Sequence, residues 1–141
     1  MRAIGIDLGT KSMGIAISDN SKKIVNPLKN YLFSAYEPAK YIETLNKLFL
    51  EYHNEIDLIV LGFPLKLNNK SSPWSDTVVE FGKLLKVTFK NIHVKLQDER
   101  FSTKQATGYL KQLGFKHSKV KNIKDKLSAQ IILQNYLELN V

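Results

Sequence analysis

Four acidic residues in this 141-residue chain have the type and placement to hold a divalent cation: Asp7, the neighbours Asp98 and Glu99, and Asp125. Asp7 closes the apolar run Ala3-Ile4-Gly5-Ile6. Asp98 and Glu99 follow the alternating stretch Ile92–Leu96. Asp125 stands in the first turn of a last helix expected over about Lys124–Leu139. Each lies beside a segment boundary, and a charge next to apolar sequence is costly unless it is paired, hydrogen-bonded or metal-bound. If the strands that carry Asp7 and Asp98 are parallel in one sheet, both acids emerge at the same edge. A helix packing back across that sheet brings Asp125 to them. Three carboxylates held together repel, and one or two Mg²⁺ or Mn²⁺ ions, which prefer oxygen ligands, relieve this. Two such ions about 4 Å apart activate water and stabilise the leaving oxygen in phosphodiester hydrolysis.

Each acid also has a plainer role open to it. Asp7 can turn back on the amides of Gly9 and Thr10, and Asp98 can cap the turn that follows. Glu99 can pair with Arg100, and Asp125 can favour a helix N-terminus through the dipole. The choice between Asp98 and Glu99 stays open. Asp19, Asp57 and Asp76 read as turn or helix-start residues. His53, His93 and His117 lack ligand spacing, so no histidine metal site is expected.

The elements that must position these acids follow from periodicity. Arg2–Asp19 reads as a hairpin, with Gly9-Thr10 at its turn. Gly9 is expected to keep bulk away from Asp7, and Gly5 and Gly14 thin the strands. Ile24–Phe33 contains Pro27, which cannot donate to a ladder, so it reads as an edge strand. From Pro38 the period becomes helical, with Ile42, Leu45, Leu48, Phe49 and Tyr52 inward, until His53-Asn54. Asp57–Gly62 is a short, buried strand, expected to run parallel to the first. The polar loop after it holds Lys66 and Lys70, at the end of a strand where open α/β sheets take ligands. Ser75–Lys90 is a helix on Val78, Phe81 and Leu85, with Trp74 packing at its start. Ile92–Leu96 is the fifth strand. Ser102-Thr103-Lys104-Gln105 has the form of a capping box for a short helix ending at Gly114. The basic stretch Phe115–Lys124, with Lys119 and Lys121, reads as a mobile loop. Three antiparallel strands followed by αβαβα predict a mixed five-stranded sheet with helices on both faces, a ribonuclease H-like α/β architecture in one domain, 1–141.

Composition narrows the partners. The chain is 43% hydrophobic, has no run long enough for a membrane helix, and has no signal-peptide pattern. It has no cysteine, which excludes disulfides and thiolate metal sites and fits the cytoplasm. Its net charge of +8 suits a polyanion, with nucleic acid foremost, although a lysine-rich composition alone would also give it.

Four pieces carry a family resemblance: Gly5-Ile6-Asp7-Leu8-Gly9-Thr10-Lys11-Ser12-Met13-Gly14-Ile15-Ala16, Leu61-Gly62-Phe63-Pro64-Leu65, Asp98-Glu99-Arg100-Phe101-Ser102-Thr103, and Asp125-Lys126-Leu127-Ser128-Ala129 with Ile131–Leu137 after it. In this order the chain resembles the YqgF/RuvX family of ribonuclease H-like nucleases, known as Holliday-junction resolvases and pre-16S rRNA processing nucleases. The resemblance implies a bacterial, cytoplasmic, metal-dependent endonuclease with Asp7, Asp98 or Glu99, and Asp125 at its centre. Asp7, Glu99 and Asp125 would be the ligands of Mg²⁺ or Mn²⁺. It implies structured RNA or branched DNA as partner, ribosomal precursor particles among the targets, and a monomer or weak homodimer. Lys11, Lys66, Lys70, Arg100, Lys119 and Lys121 would engage phosphates. Two further readings compete. Asp7-Leu8-Gly9-Thr10 also resembles the first phosphate loop of the actin and sugar-kinase type, though one short domain lacks the second half that closes on ATP. The basic stretch would also serve a non-catalytic RNA-binding assembly factor.

Overall fold

The structure, a computed structural model, describes residues 1–64, 73–98, 112–114 and 117–140, with the backbone alone for 117–125. Among these residues, five strands and three helices follow in the order β1 (Arg2–Leu8), β2 (Ser12–Ser18), β3 (Val25–Leu32), α1 (Pro38–Glu51), β4 (Ile56–Phe63), α2 (Pro73–Thr88), β5 (His93–Asp98) and α3 (His117–Leu139). The strands form one sheet in the order β3-β2-β1-β4-β5. The β1–β2 and β2–β3 pairs are antiparallel, and β4 runs parallel to both β1 and β5. This is the predicted mixed sheet.

The two faces of the sheet are written into β1 and β2 by side-chain size. Ile4, Ile6 and Leu8 alternate with Ala3, Gly5 and Asp7, and Met13, Ile15 and Ile17 alternate with Gly14, Ala16 and Ser18. Successive strand residues point to opposite faces, so one face is bulky and the other nearly flat. The bulky face packs on α1 and α2, through Tyr41, Leu45, Leu48 and Phe49 of the first and Val78, Phe81 and Leu85 of the second. The flat face packs on α3, where Ala3, Ala16, Val25 and Val60 meet Ala129, Ile132 and Leu133. Small residues let that helix come close. A Cβ added to Gly5 would stand 2.6 Å from the Ala129 carbonyl oxygen and 2.8 Å from the Leu133 Cβ.

Local chemistry sets the boundaries. Pro38 opens α1, and His53 and Asn54 close it with φ of 54° and 57°. Between Lys29 and Pro27 the β2–β3 register slips, so β3 accommodates the proline as an edge strand with a bulge. Trp74 meets Tyr36 edge-on at 5.4 Å between ring centroids, the expected packing role. Gly114 takes φ of 80°, a backbone suited to a helix end.

Three expectations are corrected. The last helix begins at His117, so Lys119, Lys121 and Lys124 lie on a helix instead of a loop. No glycine or proline interrupts this stretch, lysine is a good helix former, and Val120, Ile123 and Leu127 recur at helical spacing. Asp125 therefore stands in the third turn, too far from the N-terminus for a dipole role. Asp57 is the second residue of β4, where it pairs with Lys22 at 2.9 Å. The short helix expected after Ser102 lies outside the described residues.

Candidate active site

Asp7 is the next-to-last residue of β1, half-buried, on the flat face. Its register partner on β2 is Gly14. On the other side Ile6 pairs with Leu61 of β4, and one residue further along both strands come Asp7 and Gly62. Asp7 thus has glycine directly beside it on both neighbouring strands. Gly62 pairs in turn with Gln97, and Gly14 with Asn30, so a row Asn30–Gly14–Asp7–Gly62–Gln97 crosses the sheet.

The helix above this row completes the placement. The Gly5 contacts set the level of Ala129 and Leu133 on β1. Gln130 donates to the Val25 carbonyl at 3.0 Å. Gln134, Leu137 and Glu138 lie beside Lys22 and Lys23 in the β2–β3 turn. That turn sits at the start of β1, where Ala3 N donates to Ser18 Oγ at 2.8 Å, so α3 runs against the direction of β1. One helical turn back from Ala129 is position 125, about 6 Å along the axis. Two residues on from Gly5 is Asp7, about 6.6 Å along the strand. Helix position 125 is therefore level with Asp7.

Asp98 is the last residue of β5, exposed, at the same sheet edge as Asp7 but with the opposite parity. It pairs with Phe63, which belongs with Ile59 and Leu61 on the bulky face. Two strand spacings, about 10 Å, also separate it from β1. The edge was foreseen and the face was not. Lys11 is exposed in the β1–β2 turn, directly after Asp7's strand. Lys119 and Lys121 share α3 with Asp125. Glu99, Arg100, Lys66 and Lys70 lie outside the described residues. Among the described residues no three acids or histidines stand together as a metal cluster.

The turn after Asp7 is fixed from below. Gly9 N donates to Ser12 O at 2.8 Å, and Phe33 N to Lys11 O at 2.9 Å. The Tyr41 hydroxyl donates to Gly9 O at 3.0 Å and accepts from the Ser12 backbone N–H. Tyr41 is fully buried, stacks on Phe33 at 3.9 Å and meets Tyr36 and Phe81 edge-on. Burial, with the nearby Tyr36, pushes its phenol up to about 12. The sequence reading missed Tyr41, although it precedes Leu45, Leu48 and Phe49 at i, i+4, i+7 and i+8 spacing. A side chain at position 9 would strike Ser12 Oγ at 2.5 Å, so Gly9 preserves space within the turn.

A family model described as "RuvX: Holliday junction resolvase" matches residues 1–139. The chain belongs to the RuvX family. A relative from Ureaplasma parvum serovar 3, named "Putative pre-16S rRNA nuclease", is 41% identical over 144 residues, covering 99% of this chain and 98% of its own. One of the same name from Mesomycoplasma hyopneumoniae is 42% identical over 136 residues, covering 96% and 93%. Two solved structures share the fold. The Fowlpox virus resolvase in complex with Holliday junction DNA superposes with a TM-score of 0.56 at 15% identity, over 100% of this chain and 99% of that one. The Thermus thermophilus RuvC complex with a Holliday junction substrate gives 0.55 at 15%, over 100% and 97%. This RuvX-family chain thus shares its ribonuclease H-like architecture with both of these structures. No helix among its described residues is long and apolar enough to cross a membrane.

Proposed function

We propose that this RuvX-family protein is a metal-dependent endonuclease that hydrolyses phosphodiester bonds in structured RNA, foremost at the 5′ side of pre-16S rRNA. The observation that carries this is the placement of Asp7, a half-buried carboxylate between two glycine-bearing strands and level with position 125 of α3. The donor set fits a hard cation, because carboxylate oxygens are what Mg²⁺ and Mn²⁺ take. Asp7, Asp125 and Glu99 would hold it. Glu99 is favoured over Asp98 because Asp98 pairs with Phe63 and so takes the face opposite to that of Asp7. When bound, such an ion supplies an activated water and charge at the leaving oxygen. The chain's own part is to hold the carboxylates on one face and bring phosphates to them. Lys11, Lys66, Lys70, Arg100, Lys119 and Lys121 serve that second task, with the net charge of +8 drawing the polyanion in.

The family's printed description favours a second reading, resolution of a branched DNA junction. One experiment tests both. A labelled pre-16S fragment and a four-way DNA junction are incubated with Mn²⁺ and either the wild type or Asp7→Asn. Cleavage of the RNA, reduced about 100- to 1,000-fold in Asp7→Asn, is expected. Equal activity of the two proteins would remove Asp7 from the mechanism. Cutting of the junction alone would transfer the function to DNA, and cutting of neither would leave a binding factor.

A further inference from the structure

The core on the α3 side stops at β4. Its buried members come from β1, β2, β3, β4 and α3, and none comes from β5. On that side β5 presents His93, Lys95 and Gln97, paired in turn with Leu58, Val60 and Gly62. Val60 is fully buried beneath α3, whereas His93 and Lys95, one strand further out, are exposed and Gln97 is half-exposed. The other side of the same strand is covered in part: Val94 is buried, while Leu96 reaches under Gly82 of α2 and stays 45% exposed. So β5 is packed in part on one face and bare on the other. The bare face is a polar ledge beside α3. It leads along β5 to the row that holds Asp7, and Gly62 puts no side chain between Gln97 and the carboxylate.

We propose that this ledge is where the nucleic-acid strand lies as it approaches Asp7, with Lys95 meeting a phosphate and Gln97 hydrogen-bonding the sugar–phosphate backbone; this rests on the nuclease reading above. A lysine on an edge strand also discourages edge-to-edge pairing, and that role alone would need no partner. The two roles differ in their response to salt. A lysine that neutralises a phosphate releases counterion when it binds, and each such contact adds about 0.7 to 0.9 to the slope of log affinity against log salt.

The test measures binding of a labelled pre-16S fragment by the Asp7→Asn protein across a salt titration, alone and with Lys95→Ala, Gln97→Ala or Lys83→Ala added. Lys83 is exposed on α2, beneath the opposite face, where it pairs with Glu80 at 3.3 Å. Lys95→Ala should lower the slope by about 0.7 to 0.9, which makes the affinity lost between 50 and 200 mM salt smaller by about threefold. Gln97→Ala should weaken binding several-fold with the slope unchanged, and Lys83→Ala should change neither. An unchanged slope in Lys95→Ala overturns the proposal. So does an equal loss in Lys83→Ala, which would make the effect one of total charge, and so does absence of binding by the parent. Cleavage by the wild type is scored separately. Catalysis with no Lys95 effect sinks the ledge alone, and a Lys95 effect without catalysis sinks the nuclease reading alone.

Discussion

At the scale of single residues, Tyr41 does more than fill the core. Its hydroxyl serves two backbone groups of the turn that follows Asp7. Tyr41→Phe keeps the ring contacts and takes that partner from the Gly9 carbonyl and the Ser12 N–H. The expected cost is about 1–3 kcal/mol, read from the urea midpoint. The same hydroxyl sets an alkaline limit. Folding raises its pKa to about 12, while an unfolded tyrosine ionises near 10. The folded chain therefore holds its proton where the unfolded chain loses it. This contribution to stability is complete below about pH 10 and is lost as pH rises towards 12. Burial moves Tyr31 and Tyr36 the same way. Urea unfolding at pH 9, 10 and 11 should show the decline, and it should be shallower in Tyr41→Phe. Asp19 acts at the other end of the scale. Hydrogen bonds from Ser21 and from the Ile24 and Lys23 amides hold its carboxyl below the usual range. Its contribution is present above about pH 4 and fades as the pH falls further.

At the scale of elements, two glycines separate close approach from mere permissiveness. Gly5 lies under α3, where a methyl group would meet the Ala129 carbonyl and the Leu133 Cβ, neither of which can rotate away. Gly5→Ala should lift the helix from the sheet, costing about 1–3 kcal/mol and lowering nuclease activity with it. Gly82 sits inside α2, where an added Cβ would find Leu61 and Leu96 at 3.5 and 3.7 Å, an ordinary contact. Gly82→Ala should stabilise by about 0.5–1 kcal/mol through helix propensity. Thermal melts of both variants check the pair, and opposite shifts are expected. This scale also shows where sequence reasoning fell short. The amphipathic α1 and α2 were legible because their apolar stripes face one core. The start of α3 was not, because its lysines made a helix look like a solvated loop. The close packing of α3 was legible only in part: Gly5 and Gly14 were seen as thinning the strands, but the flat face that they share with Ala3 and Ala16 appears only when β1 and β2 are paired.

At the scale of the whole molecule, three antiparallel strands followed by αβαβα were legible as a mixed five-stranded sheet, and a shared edge for Asp7 and Asp98 followed on the condition that their strands run parallel, as they do. Which face each carboxylate takes did not. Faces alternate with every residue, so a shift of one position exchanges them, and register is set by pairing partners far away in the chain. The pairing of Phe63 with Asp98 and of Gly62 with Gln97 carries that information. The glycines beside Asp7 belong to the same class of fact: Gly14 and Gly62 become neighbours of the acid only across the sheet.

The position of α3 in the chain has a consequence for synthesis. Ala3 shares its small core with Ala129, and Asp7 lies level with position 125, so β1 waits for a helix made long after it. A nascent polypeptide can pair its five strands and cover their bulky face while α3 is still inside the ribosome. The flat face would stay bare and the site incomplete. A nuclease built in this order stays inert until α3 has emerged. Chains arrested before His117 should accordingly cut no RNA, and chains long enough to free α3 should gain the activity.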